Sequence, residues 1–227
     1  MQKTLSALVV HDIKNALALL EIDLEQLNHH EGVPIEGQRA YRRCIELKSR
    51  LMSFLTLYKN DQSGLKPMIS EIDLAEFLDD LVGDSQSVMM GEGHHGHPIV
   101  VRVDHDRIRD AAPDRGLGFF DENLVELALE SALNNAVRYA RHRVSVWFEQ
   151  GGDALAFKVL DDGAGVGVVD EMMQRNVAGK SSSTGLGLAL CKAVAKAHGA
   201  GEVSLESMAG GGTLFTMTLL RSDAASS

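Results

Sequence analysis

The chain has little cysteine, little proline, few aromatic side chains and no surplus of positive charge. Two cysteines in 227 residues, Cys44 and Cys191, cannot make a disulfide framework. Both fall inside helix-like patterns, which fits a reducing compartment. No apolar run approaches the ~18 residues of a membrane span; stretches such as Ala7–Val10 are far too short, and the N-terminus has no signal-peptide pattern. The expectation is a cytoplasmic protein without direct membrane insertion. With 22 basic against 32 acidic side chains the formal charge is -10. That argues against a nucleic-acid binder, which needs clustered Lys and Arg to displace counterions from phosphates.

What is present divides in two. Hydrophobic residues make up 44% and charged residues 24% of the chain, enough apolar material for a core, so whole-chain disorder and a coiled-coil rod are both excluded. Residues 1–63 hold eight basic and eight acidic side chains, so the entire net charge lies on residues 64–227. Two compositional halves imply two domains.

Residues 4–30 read as an amphipathic helix, with Leu5, Leu8 or Val9, Asp12 or Ile13, Ala16, Leu20, Leu24 and Leu27 at steps of three and four. Two glycines and a proline in residues 31–37 break it, and a second helix carries Cys44, Leu47, Leu51, Phe54 and Tyr58 at 3-4-3-4 spacing. One hairpin can cover such a seam only in part. The pattern predicts a four-helix bundle made by homodimerisation; packing of the hairpin on the second domain is the alternative.

Beyond a polar connection with Gly64 and Pro67, the pattern predicts a helix (Leu74–Val82), a Gly/His-rich loop and a strand (Ile99–Val103). There follow a long helix (Glu122–Ala140), strands Val144–Glu149 and Leu155–Leu160, a Gly- and Ser-rich stretch, a helix (Leu186–His198) and strands Val203–Glu206 and Thr213–Leu219. Hairpin-connected strands mixed with long helices predict an α/β sandwich, with helices on one face of a mixed sheet. His94, His95 and His97 could ligate a metal, but without Cys, Asp or Glu nearby at helical spacing they read better as a polar loop.

Three elements carry chemistry. In the long helix, Ser131, Asn135 and Arg138 form a polar column at i, i+4 and i+7 beside the apolar face. An Asn carbonyl oxygen can ligate a hard cation, and an Arg one turn away can pair with phosphate. A solvated helix face is the plainer reading of that column alone. Next, residues 159–166 run from a strand through Asp161 into a turn with Gly163 and Gly165. Those glycines allow close backbone approach, and a carboxylate at a strand end can accept from the exocyclic amine of adenine. Last, Gly185-Leu186-Gly187-Leu188 opens a helix, whose exposed N–H groups cradle phosphate.

Together and in this order, these elements resemble the ATP-binding domain of sensor histidine kinases, of the GHKL fold. Asn135, Ala136, Arg138 and Tyr139 look like its N box, Asp161-x-Gly163-x-Gly165 like its first glycine box, and Gly185–Leu188 like its second. The run from Ala189 to Lys192 and Ala197-His198-Gly199 resembles the helix that follows, and Gly212-Thr213-Leu214-Phe215 the approach to the last strand. Near the N-terminus, His11-Asp12-Ile13-Lys14-Asn15 is similar to the H box of the dimerisation and phosphotransfer domain.

The resemblance implies an α+β chain: a helical hairpin forming a dimeric four-helix bundle, then a GHKL (Bergerat) α/β sandwich with a mixed sheet. The implied boundaries are residues 1–63 for the hairpin, 64–71 for a linker, 72–221 for the ATP-binding domain and 222–227 for a tail. It implies ATP and Mg²⁺, with Asn135 on the metal, and Arg138, Tyr139, Asp161, Gly163, Gly165, Lys180, Gly185, Leu186, Gly187 and Thr213 around the nucleotide. His11 would take the phosphoryl group, Asp12 would assist and Asn15 would serve a phosphatase step. A response-regulator receiver domain would be the next acceptor, and input would come from an upstream sensor protein or a removed sensor domain.

Departures from the pattern are visible. Ala16 stands where a proline is usual, Ser183 replaces an earlier glycine, and residues 166–184 lack a phenylalanine-rich box, for which Met172, Met173 and Val177 could substitute. Two rivals remain in view. A GHKL ATPase switch would place a glutamate at position 131, where Ser131 stands with Glu130 one residue off the column. A nonenzymatic scaffold with a decayed site would not need Asn135, Asp161 and four glycines.

Overall fold

A computed structural model describes residues 13, 15–24, 26, 35–89, 99–111, 116–165 and 185–220. Residues 15–24 are helical (α1). There follow α2 (Ile35–Ser63), β1 (Ser70–Asp73), α3 (Leu74–Met89), β2 (Val100–Val103), α4 (His105–Ala111), β3 (Leu117–Phe120) and α5 (Glu122–Tyr139). The remaining elements are β4 (Arg143–Gly151), β5 (Ala154–Asp161), α6 (Leu186–Ala197), β6 (Glu202–Ser207) and β7 (Thr213–Leu220). Chain contacts divide the molecule into two compact units, Met1–Met52 and Ser53–Ser227, and the division falls within α2.

In the N-terminal unit Leu17, Tyr41 and Cys44 are buried. The Cys44 thiol points at the Leu17 carbonyl (3.8 Å) and Lys48 pairs with Glu21 at 2.6 Å, so α1 and α2 touch. Leu19, Leu20, Ile22 and Leu47 stay exposed. Farther along α2, Phe54 and Tyr58 are also exposed, their rings stacked with centroids 6.3 Å apart. The apolar seam on these helices is only partly covered within one chain.

The C-terminal unit is built on a five-stranded mixed sheet of order β2-β4-β5-β7-β6, parallel only at β2–β4. The α+β class and the mixed sheet expected from the sequence are both present. Strict alternation in β5 turns Leu155, Phe157, Val159 and Asp161 to one face, where the first three enter the core. On α5, Val125, Ala128, Leu129, Ala132, Leu133 and Ala136 recur at helical spacing and are buried in the same core, with α3 and α6 beside them. Phe77, Phe120 and Phe157 pack edge to face with centroids 5.3–5.9 Å apart.

Three elements go beyond the sequence expectation. The β1–β3 ribbon joins Ser70–Asp73 to Leu117–Phe120 in antiparallel register. Gly118 looks like a turn signal but sits in a strand, because a Cβ there would meet the Leu74 and Phe120 side chains at 2.8 Å. Helix α4 follows β2 and lays Arg107 over the Trp147 ring, 4.2 Å from its centroid. Helix α3 also continues past Val82 to Met89.

The ends of α5 and α6 are tied by a buried histidine. The His198 Nδ1–H donates to the Val194 carbonyl (2.8 Å), leaving Nε2 to accept the Asp121 backbone N–H (3.0 Å). Asp121 caps α5 through the Leu124 N–H and also accepts the Met68 N–H at 2.7 Å, which anchors the chain arriving from α2. Burial pushes the His198 imidazole below its ordinary value, against the bond to Val194 and the charge of Asp121. The native state therefore binds fewer protons than the unfolded chain just below pH ~6.5, and stability falls as pH drops from there to the depressed native value. His198→Ala should cost about 2 kcal/mol near neutrality. Its deficit against wild type should shrink as the pH is lowered through that window. A deficit in urea melts that is constant with pH would contradict the neutral-histidine assignment.

Candidate functional site

The core register explains where the site forms. Asp161 is the last inward position of β5, so alternation carries a carboxylate into the end of the core, 6% exposed. Its Oδ1 accepts the Gly163 N–H at 2.8 Å and the Thr213 N–H at 3.2 Å. Burial raises the Asp161 carboxyl, and the bonds from Gly163 and Thr213 offset part of that rise. The first glycine turn is fitted closely around it. A Cβ on Gly163 would run into the Tyr139 carbonyl, and Gly165, with φ +87°, lies against Ser207 and Gly212. Gly212 in turn has φ +96° and no room for a side chain against the Asp161 carbonyl.

The second glycine box meets the N-box helix. Gly185 is left-handed (φ 69°, ψ -7°) and, as the N-cap of α6, offers no side chain to the first turn. Helix N–H groups not capped by their N-cap residue suit an anion. Two residues on, Gly187 lies so close to α5 that a Cβ would overlap the Ser131 hydroxyl and stand 3.4 Å from the Asn135 amide. Ser131 is buried at this contact, Asn135 is exposed beside it, and the Arg138 guanidinium rests 5.6 Å from the Tyr139 ring centroid. Ser131 and Asn135, two members of the polar column read from the sequence, thus lie on the edge of α5 that faces the start of α6.

The structure brings together Asn135, Arg138, Tyr139, Asp161, Gly163, Gly165, Gly185, Leu186, Gly187 and Thr213 at one end of the sheet and its two helices. Asn15 lies exposed on α1 in the other unit. His11, Asp12, Lys180 and the His94–His97 loop lie outside the described residues. No group of three or more His, Cys, Asp or Glu side chains able to hold a metal occurs among the described residues. Asn135 is exposed beside Gly187 with its amide nitrogen nearest that glycine; the oxygen of the same amide is a ligand type that suits a hard cation held jointly with phosphate. Two residues with structural roles escaped the sequence reading. Asp121 carries an N-cap signal just before Glu122. Asp162 is hidden inside the glycine box.

This arrangement, two glycine turns and a polar helix edge at one end of a mixed sheet, is similar to that of known proteins. Residues 120–223 match the family described as histidine kinase-, DNA gyrase B-, and HSP90-like ATPase. The chain is 25% identical to the nitrogen regulation protein NtrY of Azorhizobium caulinodans over 93% of its own length and 28% of that protein. It is 24% identical to the sensor histidine kinase CpxA of Escherichia coli, covering 87% of this chain and 42% of CpxA. Among solved structures, the histidine kinase AdeS of Acinetobacter baumannii superposes with TM-score 0.56 at 17% identity, covering 96% of this chain and 98% of that one. Residues 120–223 are thus similar to a GHKL-type ATP-binding domain, and the chain as a whole is similar to the catalytic core of sensor histidine kinases. It spans less than half the length of these two curated relatives. No helix among the described residues is long and apolar enough to cross a membrane.

Proposed function

We propose that this chain is the catalytic core of a two-component histidine kinase, which phosphorylates itself on His11 from ATP and passes the phosphoryl group to an aspartate of a receiver domain. One observation carries the reading above the others: Gly187, in the first turn of α6, is pressed onto Ser131 and Asn135 of α5. That joins a helix start suited to phosphate to the Asn135 amide, on the same helix as Arg138. Asp161, buried at the end of β5, would select adenine by accepting from its exocyclic amine.

The chemistry is a phosphoryl transfer in which positioning and charge neutralisation do most of the work. A neutral imidazole nitrogen of His11 attacks the γ-phosphorus, the bond to the bridging β–γ oxygen breaks and ADP leaves. Asp12 takes or orients the proton on the other ring nitrogen. On the helix expected over residues 4–30 neighbouring side chains would point about 100° apart, so Asp12 would act through a bent rotamer or a water. Asn135 would hold Mg²⁺, whose chemistry is to neutralise phosphate charge, and Arg138 would reach a phosphate oxygen. Both are needed in a chain of net charge -10, because the background field repels a triphosphate. The exposed apolar residues of α1 and α2 support a homodimer through residues 4–60. A cytoplasmic setting fits the two buried, unpaired cysteines.

Direct hydrolysis of ATP is disfavoured at position 131. A base there would need a carboxylate in place of a hydroxyl already packed on Gly187. The deciding experiment is incubation with γ-labelled ATP and Mg²⁺. Label should appear on the protein, survive alkali and be lost in acid, and Asp161→Asn should reduce the preference for ATP over GTP. Wild-type protein that takes no label, yet binds ATP, would point instead to a nonenzymatic scaffold.

A further inference from the structure

The antiparallel register of β4 and β5 pairs Val144 with Asp161, so the chain leaving β5 passes directly beside the turn that joins α5 to β4. Asp162 uses that proximity. Its Oδ1 accepts three successive backbone N–H groups, from Arg141 (2.8 Å), His142 (3.0 Å) and Arg143 (3.2 Å), and its Oδ2 lies 3.5 Å from the His142 Nδ1. The same turn also accepts from β2, through Val100 N–H to the His142 carbonyl (2.9 Å). Partial burial alone would raise the Asp162 carboxyl, but the three backbone donors outweigh it and hold the group below the usual carboxylate range.

The placement is electrostatically awkward without such a role. Residues 141–143 follow directly on the C-cap of α5, Ala140, and a carboxylate near a helix C-terminus meets the negative end of the dipole. The three N–H bonds compensate for it, and they have a consequence one turn back. The next residue, Gly163, sits where a Cβ would collide with the Tyr139 carbonyl, so the glycine turn and the last residue of α5 touch along their backbones. Fixing residues 141–143 therefore fixes the end of the helix that carries Arg138 and Tyr139.

We propose that Asp162 is a positioning residue for the nucleotide site, holding the α5–β4 turn so that Arg138 and Tyr139 stay in place against the first glycine turn. The role rests on the ATP-binding reading above and extends it to a residue that need not touch the nucleotide.

The test compares the wild-type chain, Asp162→Ala and Asp162→Asn. Asp162→Ala should raise the KM for ATP in autophosphorylation at least ~10-fold while kcat at saturating ATP stays within about twofold, since the groups at the γ-phosphate are untouched. Asp162→Asn keeps an acceptor oxygen at the same place and should restore KM to within about threefold of wild type. The amides of residues 141–143 should be protected from hydrogen exchange in wild type and in Asp162→Asn, and lose protection in Asp162→Ala. An Asp162→Ala protein that melts earlier but has an unchanged KM would overturn the proposal, leaving a merely structural bond. An Asn variant as poor as the Ala variant would also overturn it, by assigning the effect to charge. If Asp162→Ala does not fold, Asp162→Ser, with a shorter acceptor, should give an intermediate KM; a wild-type KM there counts against the role. Wild type that binds no nucleotide at all would instead remove the kinase reading, and the exchange pattern at 141–143 would still report whether Asp162 holds the turn.

Discussion

Replacing His11 with glutamine should abolish transfer of label from γ-labelled ATP to the chain, while light scattering still gives about twice the 24.6 kDa chain mass. Glutamine keeps the length and polarity of the position but has no basic lone pair to attack phosphorus. The loss should exceed ~10³-fold, about 4 kcal/mol of barrier. ATP binding should persist, because the groups assembled around Asp161 and Gly187 belong to the C-terminal unit. Asn15 provides the contrast. It lies at i+4 from His11 in the sequence, one turn along the same helix face, where an amide could hold a water for attack on a docked phospho-receiver. Asn15→Ala should leave autophosphorylation within a few-fold of wild type, yet slow receiver dephosphorylation at least ~10-fold, about 1.4 kcal/mol. Label retained by His11→Gln would require another acceptor. A monomeric mass at every concentration would remove the dimer, and equal dephosphorylation by wild type and Asn15→Ala would remove the phosphatase assignment.

The parts of the molecule legible in the sequence were those where one local rule decides. The strand read at Leu155–Leu160 is present as β5, and only its observed alternation shows that Asp161 at its end is buried. The spacing of Ser131, Asn135 and Arg138 marks one edge of α5. The β1–β3 ribbon was not legible, because its two four-residue strands are far apart in sequence and one carries a glycine that normally signals a turn. The close approach of Leu74, Phe120 and Leu155 explains that glycine. Asp162 and His198 were read as letters of motifs, since their partners, the 141–143 backbone and the Asp121 N–H, are set by tertiary register. Periodicity finds the faces of elements. It does not show which backbone donors a side chain will meet across a sheet.

Gly187→Ala should weaken binding of Mg–ATP at least ~100-fold, about 2.7 kcal/mol, and Ser131→Ala in the same chain should restore most of it. The reason is steric and local. Gly187 lies in the first turn of α6 without a left-handed backbone, so alanine is conformationally acceptable there. Its Cβ would nevertheless overlap the Ser131 hydroxyl oxygen, pushing the start of α6 away from Asn135. Removing that oxygen leaves the Ser131 Cβ at 3.7 Å and the Asn135 amide at 3.4 Å, contacts that the extra methyl can tolerate with little movement. The double variant should bind within about fivefold of wild type, Ser131→Ala alone within a few-fold, and the cycle should give a coupling energy of about 2 kcal/mol. Gly185→Ala is the control. Among the described residues no atom stands within 4 Å of a Cβ there, but its φ of +69° strains any L side chain, so its loss should be indifferent to Ser131. If Gly187→Ala binds ATP like wild type, or if Ser131→Ala rescues neither variant or both equally, the close approach of α6 to the N-box helix is not what shapes the phosphate site. A coupling confined to Ser131 and Gly187 would tie nucleotide affinity to that one contact between two helices.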